Sequence, residues 1–249
     1  MPPDFDSRLR AMAGVVVRVG LNLQPGQPLL ITDPYELQGA HPESAPLIAA
    51  VCNLTGAAAA VVPSDPLRLR ALVEANDTSG FEALVANHTG RLRQHLARNG
   101  AFLFATGSHP GLFAGLPPDR LAEFDRIKWR HLGPVIQRLI RGASQWTLVP
   151  APTAVWADAA YADLPANDRL PALWRTVFES FRLDADDPLA AWEIHLAALA
   201  RRRDELNAAR HRAIRYTGHG TDLRLALPGS HVWRTAQLAT ARGEPFVVN

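Results

Sequence analysis

A serine and a histidine stand side by side in Gly107-Ser108-His109-Pro110-Gly111, the glycine-flanked stretch of this chain that invites a catalytic reading. A nucleophile elbow needs its serine central in a G-x-S-x-G pattern, on a sharp turn from strand to helix. Here the serine comes one position too early and falls in a loop, and neighbours in sequence are seldom oriented as nucleophile and base. The turn Asp33-Pro34-Tyr35-Glu36 lacks the glycines that would let a backbone cradle a pyrophosphate. There is no H-E-x-x-H, no C-x-x-C and no Walker loop. Of the nine histidines, His88, His95, His131 and His211 stand alone. Two ligands on one helix face must be three or four positions apart, whereas Glu193 and His195 are separated by two. Cys52 is the only cysteine, so no intramolecular disulfide or thiolate cluster can form. It sits in the apolar run from Leu47 to Leu54 and reads as a small core residue. On residue types and spacing alone, no active site is marked.

The elements that would position such residues alternate in kind. Leu9, Met12, Val16, Val19 and Leu23 fall at helical spacing over about 7–23, with Asp6 or Ser7 as cap, and Gln24-Pro25-Gly26-Gln27 breaks the helix. Short apolar strands are predicted at Pro28–Thr32, Ala57–Val62, Ala101–Ala105 and Gln145–Val149. Helices are predicted between them, at Pro42–Leu54, over 65–99 with an interruption near Asn76–Gly80, and at Asp119–Arg141 with a bend at Gly133-Pro134. A Gly- and Pro-rich loop spans Thr106–Pro118. This order predicts an α/β layer, a mainly parallel sheet flanked by helices. After Pro150 come three helices, Thr153–Ala160, Leu170–Phe181 and Pro188–Ala209, the last capped by Asp186 or Asp187 with Pro188 at its first position. Arg212–Thr217, the alternating Asp222–Leu227 and the final Phe246–Val248 then read as antiparallel strands, because no helix separates them. Residues 1–211 are thus expected to form an N-terminal α/β domain, and 212–249 to open a second, incomplete one.

Composition agrees with a globular chain: 249 residues, 47% hydrophobic and 20% charged, are enough to bury a core without staples. The net charge of +2 comes from arginines, with Lys128 the only lysine. Arg201-Arg202-Arg203 is followed at once by Asp204-Glu205, a solvated helix face rather than the cationic stripe of a nucleic-acid binder. No N-terminal apolar segment suits export or membrane insertion, so a cytoplasmic location is expected.

A resemblance adds what spacing does not. Asp187-Pro188-Leu189-Ala190-Ala191-Trp192-Glu193-Ile194-His195, followed by Leu199, Arg201 and Leu206-Asn207, resembles a segment of the thermophilic-type metallo-aminopeptidases, peptidase family M29, which includes aminopeptidases T and S. Tyr216-Thr217-Gly218-His219-Gly220-Thr221-Asp222-Leu223 is similar to that family's G-x-G-T-D-L turn, continuing through Ser230-His231-Val232-Trp233. Val19–Gln27 resembles its N-terminal helix-to-turn segment, and Ser144-Gln145-Trp146 with Pro152-Thr153 and Trp156-Ala157 a middle block. Departures are His219 where proline is usual, Ala226 where glycine is common, and Arg234-Thr235-Ala236 in place of a glycine-rich stretch.

The resemblance implies hydrolysis at the free N-terminus of a peptide by water activated between two divalent ions, zinc, cobalt or similar. It also implies that Gly243–Asn249 leads into the first glutamate ligand, with the remaining ligands farther on. No metal ligand or catalytic group is therefore expected within these residues, and no cofactor in this segment. Trp192, His195, Asn207, Gly218, Gly220, Thr221, Asp222, His231 and Trp233 are expected to serve as scaffold. Gly218 and Gly220 would permit a tight turn, Thr221 or Asp222 would bond back to it, and His195 would pack on Trp192 and bond a neighbouring carbonyl. Two other readings stay open. One is a shortened, non-catalytic family member that binds a relative or forms a homodimer through exposed strand edges. The other is an unrelated α/β enzyme using the Thr106–Pro118 loop at the strand ends.

Overall fold

The computed structural model describes residues 4–33, 40–56, 59–63, 65–107 and 109–248. Pro34 to Glu36 of the expected turn, Ala57 and Ala58 of the second expected strand, Ser108 and Asn249 lie outside the described residues. Four strands, β1 (Leu29–Thr32), β2 (Ala59–Val61), β3 (Ala101–Thr106) and β4 (Trp146–Pro150), form one fully parallel sheet in the order β2-β1-β3-β4. The chain runs from β1 outward to β2, then returns past β1 to β3. The sheet therefore reverses its direction of growth between β1 and β3, the topological switch point of an open α/β sheet.

Both faces of the sheet are covered, which is why its strands read as continuous apolar runs. Alternation along β3 divides the core. Ala101, Leu103 and Ala105 face one side, with Leu29, Ile31 and Val149, against α1 (Phe5–Val15), α2 (Ala45–Thr55) and α7 (Ala166–Ser180). Phe102 and Phe104 face the other, with Leu30 and Trp146, against α4 (Thr78–Ala97) and α5 (Pro118–Ile140). A third, smaller cluster joins α3 (Pro66–Glu74), α4 and α5 to the loop after β3.

Helix starts follow the capping chemistry of the sequence. Asp65 caps α3 through the Arg68 N–H at 3.0 Å, Asp77 caps α4 through Gly80 at 2.8 Å, and Thr153 caps α6 (Ala154–Ala160) through Trp156 at 3.2 Å. The interruption expected near 76–80 is the junction of α3 and α4. The first helix differs from expectation, passing at Val16 into a π-helical segment, Val16–Gly20. Its wider turn keeps Val15, Val16 and Leu21 all in the core. α5 runs as one element through Pro134.

The late strands pair antiparallel, as the missing helices between them imply. β5 (Ala213–Gly218) pairs with β6 (Thr221–Ala226) in one two-stranded sheet, and β7 (Gln237–Ala239) with β8 (Pro245–Val247) in another. β7, three residues long, carries too little alternation to be read from sequence. The β7–β8 hairpin packs back on the α/β layer, with Phe246 buried against Phe102, Phe104 and Trp146. Gly142 makes that approach possible. Its φ is +81°, and a Cβ there would lie 2.7 Å from the Ala239 carbonyl oxygen. Its own carbonyl accepts from the Ala241 N–H at 2.8 Å.

Candidate functional site

The family-like residues lie on α8 (Pro188–Ala209) and on the chain that follows it. Asp187 fixes the start of α8, its Oδ1 accepting from the N–H groups of Leu189 and Ala190 at 2.9 and 3.1 Å. Pro188, which has no N–H to satisfy, occupies the first turn. One helical turn in, Trp192 is buried and its indole N–H donates to the Phe181 carbonyl at 3.0 Å. The ring of His195 meets it edge-on, centroids 5.7 Å apart, and the Arg182 guanidinium lies 5.8 Å from the indole centroid. Burial, and then the Arg182 charge, hold the imidazole below its usual pKa. His195 thus packs against Trp192 one helical turn away, as their spacing implies. Glu193 points away from that pair, exposed on the helix.

At the far end of α8, Asn207 reaches the loop after β6. Its side-chain amide donates to the Trp233 carbonyl at 3.0 Å and its oxygen accepts the Trp233 N–H at 2.8 Å. Within that loop His231 Nδ1 lies 2.7 Å from the Pro228 carbonyl, and its ring stands perpendicular to Trp233. The β5–β6 register pairs Gly218 with Thr221, leaving His219 and Gly220 as the turn. Of the two glycines only Gly220 lies in the left-handed region, at φ +73°. Asp222 bonds across the strands instead of to the turn, taking the Arg215 guanidinium in two contacts at 2.8 and 2.7 Å. Each family-like residue thus sits in a local aromatic, turn or strand-pairing contact. They form separate groups along the chain rather than one convergent constellation.

Among the described residues, no three His, Cys, Asp or Glu side chains gather closely enough to hold a metal ion. The groups present do not fit the pair of ions that the resemblance implies. The isolated histidines are indeed scattered. His88 is buried in α4, His95 Nε2 lies 2.9 Å from the Ala101 carbonyl, and His131 Nε2 lies 2.9 Å from Glu82. Cys52 is half-buried and free, packed against the core from α2. Arg201, Arg202 and Arg203 are solvated, with Arg203 paired to Asp204 at 2.8 Å.

The other place where the fold concentrates opportunity is the loop after β3, at the carboxyl end of the sheet beside the switch point. It covers a cavity of about 690 Å³ walled by Leu69, Val73, Phe81, Leu112 and Phe124, with Lys128 at its edge. His109 also lines it, with its Nδ1 buried and unbonded among the described residues. Sequence reasoning singled out this loop but not its walls, which come from the three successive helices α3, α4 and α5 and depend on how these pack. Arg182 was also missed, because its place over Trp192 depends on the turn between α7 and α8. The signal that marks the cavity is the Gly- and Pro-rich stretch directly after a fully buried strand.

Residues 5–249 match the model of the thermophilic metalloprotease family, M29. The chain is 30% identical to aminopeptidase T of Thermus thermophilus over 240 residues, which are 96% of this chain and 58% of that protein. It is 28% identical to aminopeptidase AmpS of Bacillus subtilis, covering 98% of this chain and 59% of the relative. The solved structure of wild-type AmpT from Thermus thermophilus superposes with a TM-score of 0.83 at 28% identity, over 97% of this chain and 59% of that one. The chain therefore spans somewhat under three fifths of the length of the relatives it matches.

Proposed function

Because this chain belongs to the thermophilic metalloprotease family, M29, we propose that it is the N-terminal part of a metal-dependent aminopeptidase that acts on peptides with a free N-terminus. The observation that carries this reading is the match over almost the whole chain to proteins named as aminopeptidases, against less than two thirds of their length. In this reading zinc, cobalt or similar ions are held by a ligand set outside these 249 residues. The segment contributes the α/β wall of the enzyme, with α8 and the β5–β6 hairpin as its links to the catalytic half, and it works in the cytoplasm. Trp192, His195, Asn207, Gly218, Gly220, Thr221, Asp222, His231 and Trp233 serve this scaffold, and none of them transfers a proton in the reaction or holds an ion.

The purified 249-residue chain is then expected to be inactive on leucine-p-nitroanilide in the presence of cobalt or zinc. Turnover that a chelator abolishes would overturn the assignment of the metal ligands to a region outside this chain.

One observation favours a second reading, a non-catalytic module that pairs with another chain. In the β5–β6 register, Ile214 lies opposite Leu225 and Tyr216 opposite Leu223, so one face of the hairpin carries an apolar patch. Tyr216, Leu223 and Leu225 remain about half exposed. An isolated two-stranded hairpin is marginal in water unless that face is covered. A homodimer formed there would dissociate on Leu223→Arg, as read by light scattering. A chain that is monomeric before the change would rule this reading out.

A further inference from the structure

The cavity under the loop after β3 is built rather than incidental. Its walls belong to the cluster of Leu69, Val73, Phe81, Leu112 and Phe124, and its volume is about 690 Å³. Pockets that take small molecules fall in this size range and are mainly apolar, with a few polar groups that fix orientation. Two arginines pin the surroundings. The Arg70 guanidinium donates to the carbonyls of Leu112 and Ala114, closing the loop on α3. The guanidinium of Arg120 donates to the carbonyl of Glu74 at 2.8 Å, tying α5 to the end of α3. One wall of the site is the loop that leaves the carboxyl end of β3, the end of a parallel sheet at which ligands bind.

The polar groups at its edge define the ligand. Lys128, the only lysine of the chain, places its ammonium 2.7 Å from Asp125 Oδ1, and both residues line the cavity. An ammonium and a carboxylate side by side at the rim of an apolar chamber complement the reverse arrangement in a ligand. An ammonium has three donors, and Asp125 takes one of them, leaving donors for a second carboxylate. The pair is three residues apart on a partly exposed helix face, an interaction that adds little to stability and is readily exchanged for ligand contacts.

We propose that this cavity is a binding site for a free hydrophobic amino acid. Its side chain lies against Phe113 and Leu121 over a buried floor of Leu69, Phe81, Leu112 and Phe124, its carboxylate on Lys128 and its ammonium on Asp125. The site stands on its own geometry, whether or not the chain forms part of a peptidase.

Calorimetric titration of the 249-residue chain with L-phenylalanine and L-leucine tests it. Saturable binding is expected. Phenylalaninamide, which keeps only the amine, and N-acetylphenylalanine, which keeps only the carboxylate, are each expected to bind roughly tenfold more weakly or worse, since each loses one charge-assisted contact. Lys128→Met and Asp125→Ala should weaken L-phenylalanine by a similar factor, while Lys128→Arg retains binding. Ala122→Trp, which adds an indole to the lining, should abolish it. An unchanged melting temperature verifies that each variant keeps the fold. Absence of saturable binding by both amino acids would overturn the proposal, as would equal affinity for the amide, the acetylated compound and the zwitterion. Binding unchanged in Lys128→Met would overturn it too.

Discussion

Asn207 and Trp233 hold each other by two hydrogen bonds running in opposite directions, side-chain amide to backbone carbonyl and backbone N–H to side-chain oxygen. This pairing ties the last turns of α8 to the loop that follows β6. It uses both ends of an asparagine amide, which neither aspartate nor leucine can reproduce. Asn207→Asp keeps the acceptor but turns a donor into a second acceptor facing a carbonyl. Both Asn207→Asp and Asn207→Ala are expected to cost about 1–2 kcal/mol. Urea unfolding gives the magnitude. Hydrogen exchange should show the loss concentrated at the Trp233 amide.

The imidazole of His88 is buried in α4, and desolvation, with the Arg91 charge adding to it, lowers its pKa from 6.5 to about 4. The folded protein therefore binds fewer protons than the unfolded chain between these values. The stability associated with neutral His88 is complete above about pH 6.5. It declines as pH falls toward 4, by up to about 3 kcal/mol in all. His95, also lowered chiefly by burial, acts in the same direction. Chemical denaturation measured from about pH 7 to about pH 4 should show the decline, and His88→Leu should flatten it without removing it. An unchanged slope in that variant would refute the assignment to His88.

Gly142 takes the one backbone conformation that lets the β7–β8 hairpin sit against α5 and β4. Gly142→Ala adds a left-handed penalty of about 1–2 kcal/mol and a clash with the Ala239 carbonyl. A lower melting temperature is expected, with faster hydrogen exchange at residues 237–247 and little change in β1 or β3.

Phe246 is buried among Phe102, Phe104 and Trp146. Phe246→Ala should therefore cost about 3–5 kcal/mol, as a core truncation does, although the residue lies close to the end of the chain. Thermal or urea unfolding of the variant measures it. A cost below about 1 kcal/mol would mean that the hairpin is an ornament on an independently packed layer.

Much of this architecture is legible in the residues. The four parallel strands follow from apolar runs bounded by Gly, Pro and polar turns, and α8 from Asp187-Pro188, because burial on both faces and end-capping are local demands. What escaped was long-range or too short to show a period. β7 has three residues, and the π-helical turn at Val16 is set by what packs beneath it. The candidate site divides in the same way. Trp192 beside His195 is readable from helical spacing, whereas Arg182 over the indole and Asn207 clasping Trp233 depend on how distant elements meet. The Arg215 contact of Asp222 escaped for a different reason: it rests on the strand register, which the turn residues alone do not specify.

Phe246 also bears on how this polypeptide can be divided. A version cut after α8 would keep every strand of the parallel sheet yet uncover Trp146 and its aromatic neighbours. The core beneath β3 and β4 thus draws on two stretches of sequence, the elements from β1 to β4 and the β7–β8 hairpin, with the β5–β6 hairpin between them in chain order.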